Sequence, residues 1–227
     1  MSERIMEMLS AREQLLLDVS HELRSPLTRM RVALEFIPED ASRESLLDDV
    51  QEMEQMVTEI LETARLKSEY GQLNLQKTDL VKLIRDICIT FEGQIPGIRF
   101  ENVPETFQTF VDTEQIETVL KNLLDNALKY STVGNAPVEI CLKKSDAGTL
   151  IEIQDRGPGI QDEELDLIFE PFYRTDKSRN RKTGGYGLGL SLCKTIIEAH
   201  GGTIDVQSNT GKGTMFSLHL PKSTSTI

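Results

Sequence analysis

The sequence predicts an α+β protein in which an N-terminal helical hairpin precedes a mixed sheet covered by helices. In the first 67 residues, apolar side chains recur every three or four positions opposite a heavily charged face, which is typical of amphipathic helices. Beyond Glu69-Tyr70-Gly71-Gln72, segments that alternate apolar and polar residues, as half-buried strands do, are interspersed with further helical patterns. We therefore expect two domains, residues 1–69 and 70–227.

The hairpin pattern consists of a helix over about 2–37, which Pro26 should kink, and a second helix ending near residue 67, with Ser42 as its N-cap. A single hairpin cannot shield both apolar stripes, so pairing with a second copy into a four-helix bundle is the expected solution. The sequence thus predicts a homodimer. The alternative is a hairpin that packs on the rest of its own chain.

The second domain combines four predicted helices with seven predicted strands. The helices are expected at 79–92, 113–130, 162–167 and 188–200, and the strands near 73–77, 98–102, 107–111, 137–144, 149–155, 202–208 and 213–220. Because the strands alternate, one face of the sheet should be buried under helices, as in an α/β sandwich with a mixed, mostly antiparallel sheet.

Composition narrows the possible partners. The 227 residues are 38% hydrophobic and 27% charged, as in ordinary globular proteins. A net charge of −12 opposes binding to the phosphate backbone, so we expect no nucleic-acid partner. There is no apolar run long enough to span a membrane, which predicts a chain without a membrane segment and a cytoplasmic location. The three cysteines and three histidines are widely separated, which argues against disulfides and a zinc site.

A possible phosphoacceptor lies in the segment S-H-E-L-R-S-P-L at Ser20–Leu27. The neutral imidazole of His21 is a nucleophile near pH 7, and the adjacent carboxylate of Glu22 could tune its basicity. Taken alone, a histidine beside a glutamate on a helix is usually a solvated surface pair.

The segment N-L-L-D-N-A-L-K-Y-S, which starts at Asn122, is more specific. Asn122, Asn126 and Lys129 share one face of the predicted helix, although asparagine is a poor residue for a helix interior. An amide oxygen can bind Mg²⁺ without adding charge, and a lysine can neutralise phosphate oxygens. Local capping by the asparagines would explain one of them but not the ordered set.

Two glycine-rich segments complete the pattern. In D-R-G-P-G, the carboxylate of Asp155 could accept a hydrogen bond from an exocyclic amine such as that of adenine, and Gly157 and Gly159 allow close backbone approach. In G-G-Y-G-L-G-L, which starts at Gly184, glycines lead into a helix N-terminus that could bind phosphates. This loop matches neither a P-loop nor a Rossmann fingerprint.

In this order, the motifs resemble those of the sensor histidine kinases of bacterial two-component systems. Ser20–Leu27 is similar to the family's H-box, and the Asn122 segment to its N-box. D-R-G-P-G, F-E-P-F-Y-R (Phe169–Arg174) and G-G-Y-G-L-G-L are similar to its G1, F and G2 boxes. The resemblance covers nearly the whole chain. It implies a dimerisation and histidine phosphotransfer domain followed by a Bergerat-type ATP-binding domain.

The resemblance also implies roles for individual residues. In the phosphotransfer chemistry, His21 would be the phosphoacceptor and Glu22 the general base. The hydroxyl of Ser25 would help to dephosphorylate the partner, and Arg174 would steady the γ-phosphoryl group. The magnesium ligand would be Asn126, with Asn122 and Lys129 near the phosphates. Tyr130 would pack on the adenine or its sugar, which Asp155, Gly157 and Gly159 would also surround. The phosphate side would be formed by Gly185, Gly187, Leu188 and Gly189.

We therefore expect an ATP- and Mg²⁺-dependent protein histidine kinase that passes its phosphoryl group to an aspartate of a response-regulator receiver domain. The chain would be the catalytic core of a longer receptor, either membrane-anchored or soluble. Two residues depart from the family's usual pattern: Tyr186 replaces a small residue, and Ser25 replaces threonine. The alternatives are a degenerate kinase that serves as a scaffold and an ATPase that does not use His21.

Overall fold

The chain divides into two compact units, Met1–Gln72 and Leu73–Ile227. The computed structural model describes Val19 and residues 22–67, 72–131, 136–145, 148–175 and 186–222. The domain limits expected from the sequence, 1–69 and 70–227, remain a prediction. Within the described ranges, none of the helices is both long and apolar enough to cross a membrane.

The first unit is a helical hairpin. Helix α1 covers residues 22–35 and helix α2 covers Ala41–Leu66, with a turn over 36–40 between them. Its core consists of Leu27, Leu34 and Val50, against which two partly buried side chains pack. Pro26 lies within α1, and the kink expected from it stays a prediction.

Helix α2 begins two residues earlier than expected. Asp40 is its N-cap, because Oδ1 of Asp40 accepts a hydrogen bond from the backbone N–H of Arg43 (2.7 Å). The prediction of Ser42 as the N-cap was therefore wrong. Arg43 also closes the turn: its Nε–H donates to the carbonyl oxygen of Leu34, near the end of α1 (2.7 Å). The same carbonyl oxygen also accepts the N–H of Ile37 (3.2 Å), so Arg43 adds a second donor at a helix end where Pro38 cannot supply the usual one.

The second unit contains seven strands and three α-helices in its described part. In chain order they are β1 Leu75–Asp79, α3 Leu80–Ile89, β2 Ile98–Glu101, β3 Gln108–Asp112, α4 Thr113–Tyr130, β4 Val138–Lys144, β5 Gly148–Gln154, α5 Gly189–Ala199, β6 Thr203–Asn209 and β7 Gly213–Pro221. A five-stranded sheet has the order β2-β4-β5-β7-β6, and β1 pairs with β3 in a separate ribbon.

The sheet is mixed but mostly antiparallel, which confirms the predicted fold class. Among the described strands of this sheet, β2 and β4 run parallel, whereas the pairs β4–β5, β5–β7 and β6–β7 are antiparallel. Helices α4 and α5 contact the sheet and bury its apolar face. The core combines strand residues such as Ile140 and Ile151 with helix residues such as Leu120, Leu124 and Ile196, all fully buried.

The helix predicted over 162–167 was wrong. Instead, two short 3-10 turns occupy Asp162–Glu164 and Leu167–Phe169. The first turn is entirely acidic and buries nothing, and in the second only Ile168 is buried. Over 162–167 only Leu165 and Leu167 are apolar and neither is buried, so a helix of this length would have little packing to stabilise it.

Candidate nucleotide site

Helix α4 carries the polar residues predicted for the site. It begins after Asp112, whose Oδ1 accepts a hydrogen bond from the N–H of Gln115 (3.2 Å). Its buried side chains face the core, namely Ile116, Val119, Leu120, Leu123, Leu124, Ala127 and Leu128. The predicted site residues of the helix are half-buried at the margin of this face, namely Asn122, Asn126, Lys129 and Tyr130. The burial of the apolar face therefore fixes which side of α4 remains available to a ligand.

The N-terminus of α5 lies beside Asn122. Gly189 is the first residue of α5, and a Cβ added there would lie 3.1 Å from Oδ1 of Asn122. The preceding residue, Leu188, is buried, and its carbonyl accepts the N–H of Leu192 (2.9 Å). The carbonyl of Gly187 accepts the N–H of Phe172 (2.9 Å). The glycine at 189 therefore permits a close approach between the two helices.

Asp155 is a buried carboxylate, and among the described residues only its Oδ1 accepts hydrogen bonds. Its exposed fraction is 6%, and Oδ1 accepts hydrogen bonds from the N–H groups of Gly157 (2.7 Å) and Thr214 (3.2 Å). Burial raises the pKa of this carboxyl above its ordinary value. In the described part of the chain Oδ2 accepts no hydrogen bond, and it is not sealed from solvent. The side chain thus presents a fixed acceptor to a ligand.

Glycines bring the loop after β5 against its neighbours. A Cβ at Gly157 would lie 2.7 Å from the carbonyl oxygen of Tyr130 and 2.9 Å from Oδ1 of Asp155. Gly159 has a positive φ of 69°, and a Cβ there would lie 2.2 Å from the carbonyl oxygen of Asn209. The two glycines therefore let this loop pack tightly against the end of α4 and the end of β6.

Thr214 is a site residue that sequence reasoning missed. Besides its N–H contact with Asp155, its hydroxyl shares a hydrogen bond with Oγ of Ser208 (2.9 Å). A Cβ on the adjacent Gly213 would lie 2.1 Å from the carbonyl oxygen of Asp155. The available signal was the short segment G-K-G-T at 211–214, a further glycine pair at a strand start.

The other predicted site residues are only partly described. His21 and Gly185 lie outside the described residues. Glu22 and Ser25 are exposed on α1, three positions apart and so on one side of the helix. Arg174 is half-buried and directly follows Tyr173, whose hydroxyl donates to Oε1 of Glu164 (3.2 Å).

The available donors suit a magnesium ion better than a metal held entirely by protein ligands. Across the described ranges, His, Cys, Asp and Glu nowhere gather in a group of three that could hold a metal. The amide oxygen of Asn126 is a neutral, hard ligand at the edge of the site. Mg²⁺ commonly binds through one or two protein oxygens, substrate phosphates and water. The residues present therefore fit Mg²⁺ together with a nucleotide.

Family models match both units of the chain. Residues 11–69 match the His Kinase A (phospho-acceptor) domain, and residues 111–224 match the Histidine kinase-, DNA gyrase B-, and HSP90-like ATPase. The chain belongs to the two-component sensor histidine kinases. The resemblance drawn from the ordered motifs is thereby confirmed.

Individual relatives agree with this assignment. Sensor protein RstB of Escherichia coli is 34% identical over 225 residues, covering 97% of this chain and 51% of RstB. Sensor protein SrrB of Staphylococcus aureus is 35% identical over 218 residues, covering 90% of this chain and 37% of SrrB. The crystal structure of full-length ShkA in complex with AMPPNP superposes with a TM-score of 0.76 at 26% identity, covering 93% of this chain and 46% of ShkA. The kinase chain thus spans about half or less of the length of these relatives.

Proposed function

We propose that the chain is the catalytic core of an ATP-dependent protein histidine kinase that phosphorylates its own His21. Residues 1–69 would form the dimerisation and phosphotransfer domain, and residues 70–227 the catalytic ATP-binding domain. The division of the chain between Gln72 and Leu73 supports these limits. The family-model matches on either side support the two roles.

The observation that carries the proposal is the environment of Asp155. Hydrogen bonds to Oδ1 fix the carboxylate, and Oδ2 remains an acceptor that can reach a ligand. An exocyclic amine such as that of adenine supplies the matching donor. The carbonyl of Tyr130 and the backbone of Gly157 meet beside this carboxylate, where only glycine leaves the space open. A flat base bound at Asp155 would therefore lie near the C-terminal end of α4.

The phosphates would lie along α4 towards the N-terminus of α5. Asn122 adjoins Gly189 at that N-terminus, which attracts negative charge through its unpaired N–H groups and dipole. Lys129 would neutralise phosphate oxygens, and Asn126 would hold Mg²⁺. The ion, when bound, neutralises charge on the phosphates. Gly185, Gly187 and Leu188 would shape the same end of the site.

In the transfer step, a ring nitrogen of His21 attacks the γ-phosphorus of ATP. The new N–P bond forms as the bond between the γ-phosphorus and its bridging oxygen breaks, and ADP leaves. Glu22 would take the ring proton as general base, and Arg174 would stabilise the charge on the transferred group. The positive charge of the guanidinium suits this role, since phosphoryl transfer depends mainly on positioning and electrostatic stabilisation.

The phosphoryl group would then pass from His21 to an aspartate of a response-regulator receiver domain. Ser25, which is exposed on α1, would also orient the water that removes the phosphoryl group from that partner. A homodimer would supply the missing cover for the hairpin. Among the described residues, Leu23, Met30 and Leu46 remain exposed although they are large and apolar. A second copy that buried them would gain the corresponding hydrophobic free energy.

The proposal is tested by incubating the purified chain with Mg²⁺ and γ-labelled ATP. We expect a label that is stable in alkali, labile in acid and absent from the His21→Gln variant. His219→Gln is the matched control, because His219 lies on β7, a strand with no proposed phosphoacceptor role, and it should keep the label. Bound ATP without label would favour a scaffold, and equal phosphate release from wild type and His21→Gln would favour an ATPase. Either result would overturn the kinase proposal.

Transfer is tested separately. The labelled chain is mixed with receiver domains encoded in the same genome, each beside a variant whose acceptor aspartate is asparagine. Loss of label from the chain and its appearance on one receiver, but not on that receiver's variant, is the expected result. Retention of the label with every receiver would contradict transfer while leaving autophosphorylation intact.

A further inference from the structure

His200 joins the end of α5 to the beginning of α4. The backbone N–H of Asp112, the N-cap of α4, donates to Nε2 of His200 (3.0 Å). Because Nε2 accepts, the proton of the neutral ring is on Nδ1, which donates to the carbonyl oxygen of Ile196 (2.8 Å). His200 is half-buried, and both of its ring nitrogens are hydrogen-bonded within the protein.

Helices α4 and α5 pack antiparallel in a single register. Three contacts define it: His200 with Asp112, the Cys193 thiol with the carbonyl of Val119 (3.8 Å), and Gly189 with Asn122. Going back along α5 from residue 200 to 193 and 189 corresponds to going forward along α4 from 112 to 119 and 122. The steps are seven and four residues along α5 and seven and three along α4, in opposite directions, so all three contacts belong to nearly one antiparallel register.

We propose that His200 is a positioning residue for the nucleotide site, which fixes the register of α5 against α4 and so holds Gly189 beside Asn122. The inference rests on the proposed function, since it assigns His200 a role at that site. The imidazole itself is remote: Asn122 lies ten positions after Asp112, which corresponds to about 15 Å along a helix. His200 therefore acts through the helices and not on the ligand.

The role requires a neutral imidazole. Protonation would turn Nε2 into a donor facing the N–H of Asp112, and the hydrogen bond would be lost. The charged group that faces the ring is the carboxylate of Asp112, which already accepts N–H groups from Gln115 and from Asn74 (2.9 Å). Desolvation outweighs this charge and lowers the pKa of His200 below its ordinary value of 6.5. The contact is thus intact at neutral pH and weakens in acid.

The test compares nucleotide affinity of the full chain and its variants between about pH 5 and pH 8, the range in which histidine titrates. His200→Gln keeps one donor and one acceptor but cannot titrate, whereas His200→Ala removes both. We expect His200→Ala to bind ATP about three- to tenfold more weakly than wild type at pH 8, as the loss of one hydrogen bond implies, and the difference should narrow towards pH 5. Wild type and His219→Gln should lose more affinity towards acid than His200→Gln. Because every variant is measured with the same nucleotide, the effects of protonating the nucleotide and Asp155 on affinity are the same in each and cancel in the comparison.

Ile84→Val is the control for a general loss of stability, because it removes one buried methyl group from α3 and leaves the contacts of His200 in place. This variant should keep the wild-type affinity and pH profile. The inference would be overturned if His200→Ala bound ATP as wild type does, or if His200→Gln showed the same acid loss as wild type.

Amide hydrogen exchange without nucleotide separates this inference from the proposed function. In His200→Ala, but not in His200→Gln, exchange should accelerate at the amide of Asp112 and also at Leu192, in the first turn of α5. Acceleration confined to Asp112 would overturn the register role. If wild type bound no nucleotide, the proposed function would fail, and the exchange at Leu192 would still decide whether His200 fixes the helix register.

Discussion

Replacing Asp155 with asparagine should move stability and nucleotide affinity in opposite directions. Asparagine can retain Oδ1 as the acceptor of the N–H groups of Gly157 and Thr214, so the loop after β5 should keep its conformation. The substitution puts an NH₂ donor in place of Oδ2, the oxygen that we propose accepts a hydrogen bond from the base. In the proposed complex, the amine of the base would then meet a second donor, so a favourable hydrogen bond would become an unfavourable donor–donor contact, while the contacts within the protein would be kept.

The magnitudes follow from the two environments of the carboxylate. A hydrogen bond to a charged acceptor contributes about 1.5–3 kcal/mol, so its loss should weaken ATP binding about 10- to 100-fold. For stability, the pKa of Asp155 is raised by burial above 3.8. As pH rises from 3.8 through the raised pKa, the unfolded state releases its proton first and stability falls. A neutral amide avoids this cost, so Asp155→Asn should be at least as stable as wild type at pH 7.

The assay combines calorimetric titration with ATP and urea unfolding at pH 7. Asp155→Ala is the control, since it leaves the N–H groups of Gly157 and Thr214 without their acceptor and should lose about 1–3 kcal/mol of stability as well as affinity. If Asp155→Asn bound ATP as wild type does, Asp155 would not recognise the base. If the variant were as unstable as Asp155→Ala, the assignment of Oδ1 and Oδ2 would be wrong.

Three further predictions concern other parts of the chain. Arg43→Ala removes the hydrogen bond to the carbonyl of Leu34 and should lower the unfolding free energy of the hairpin by about 1–2 kcal/mol in urea; an unchanged midpoint would contradict this. Burial raises the pKa of Cys88 to about 11, so this thiol should react with iodoacetamide far more slowly at pH 8 than after unfolding, and equal rates would refute it. Gly157→Ala should weaken ATP binding because its Cβ meets backbone oxygen, whereas Gly93→Ala, with no atom within 4 Å but a positive φ, should cost only stability; equal affinities would contradict the tight packing at 157.

The sequence predicted those parts of the fold that repeated patterns determine. Helix α4 has the predicted limits, since its apolar positions are buried on one face and Asp112 provides a strong N-cap. The antiparallel strands followed from alternation, because each buries one face against α4 and α5. The polar face with Asn122 and Asn126 was predictable for the same reason: burial of one face leaves the other to carry chemistry.

The sequence alone could not predict contacts between residues that are distant in the chain, and it could not decide between two similar local signals. Asp40 and Ser42 are both good N-caps, and only the hydrogen bond to Arg43 shows which one is used. Thr214 supports Asp155 through its backbone N–H, which any residue type carries. His200 meets Asp112 across 88 positions of sequence, so nothing local indicated that contact.

The claim that the nucleotide site serves His21 is tested most directly by locating the phosphoryl group. The chain would be incubated with Mg²⁺ and ATP, digested at neutral to alkaline pH to preserve phosphohistidine, and analysed by tandem mass spectrometry. We expect phosphorylation on the peptide that contains His21, and none in the Asp155→Asn variant at limiting ATP. Phosphate on a serine or threonine, on another histidine, or on no residue at all would contradict the claim.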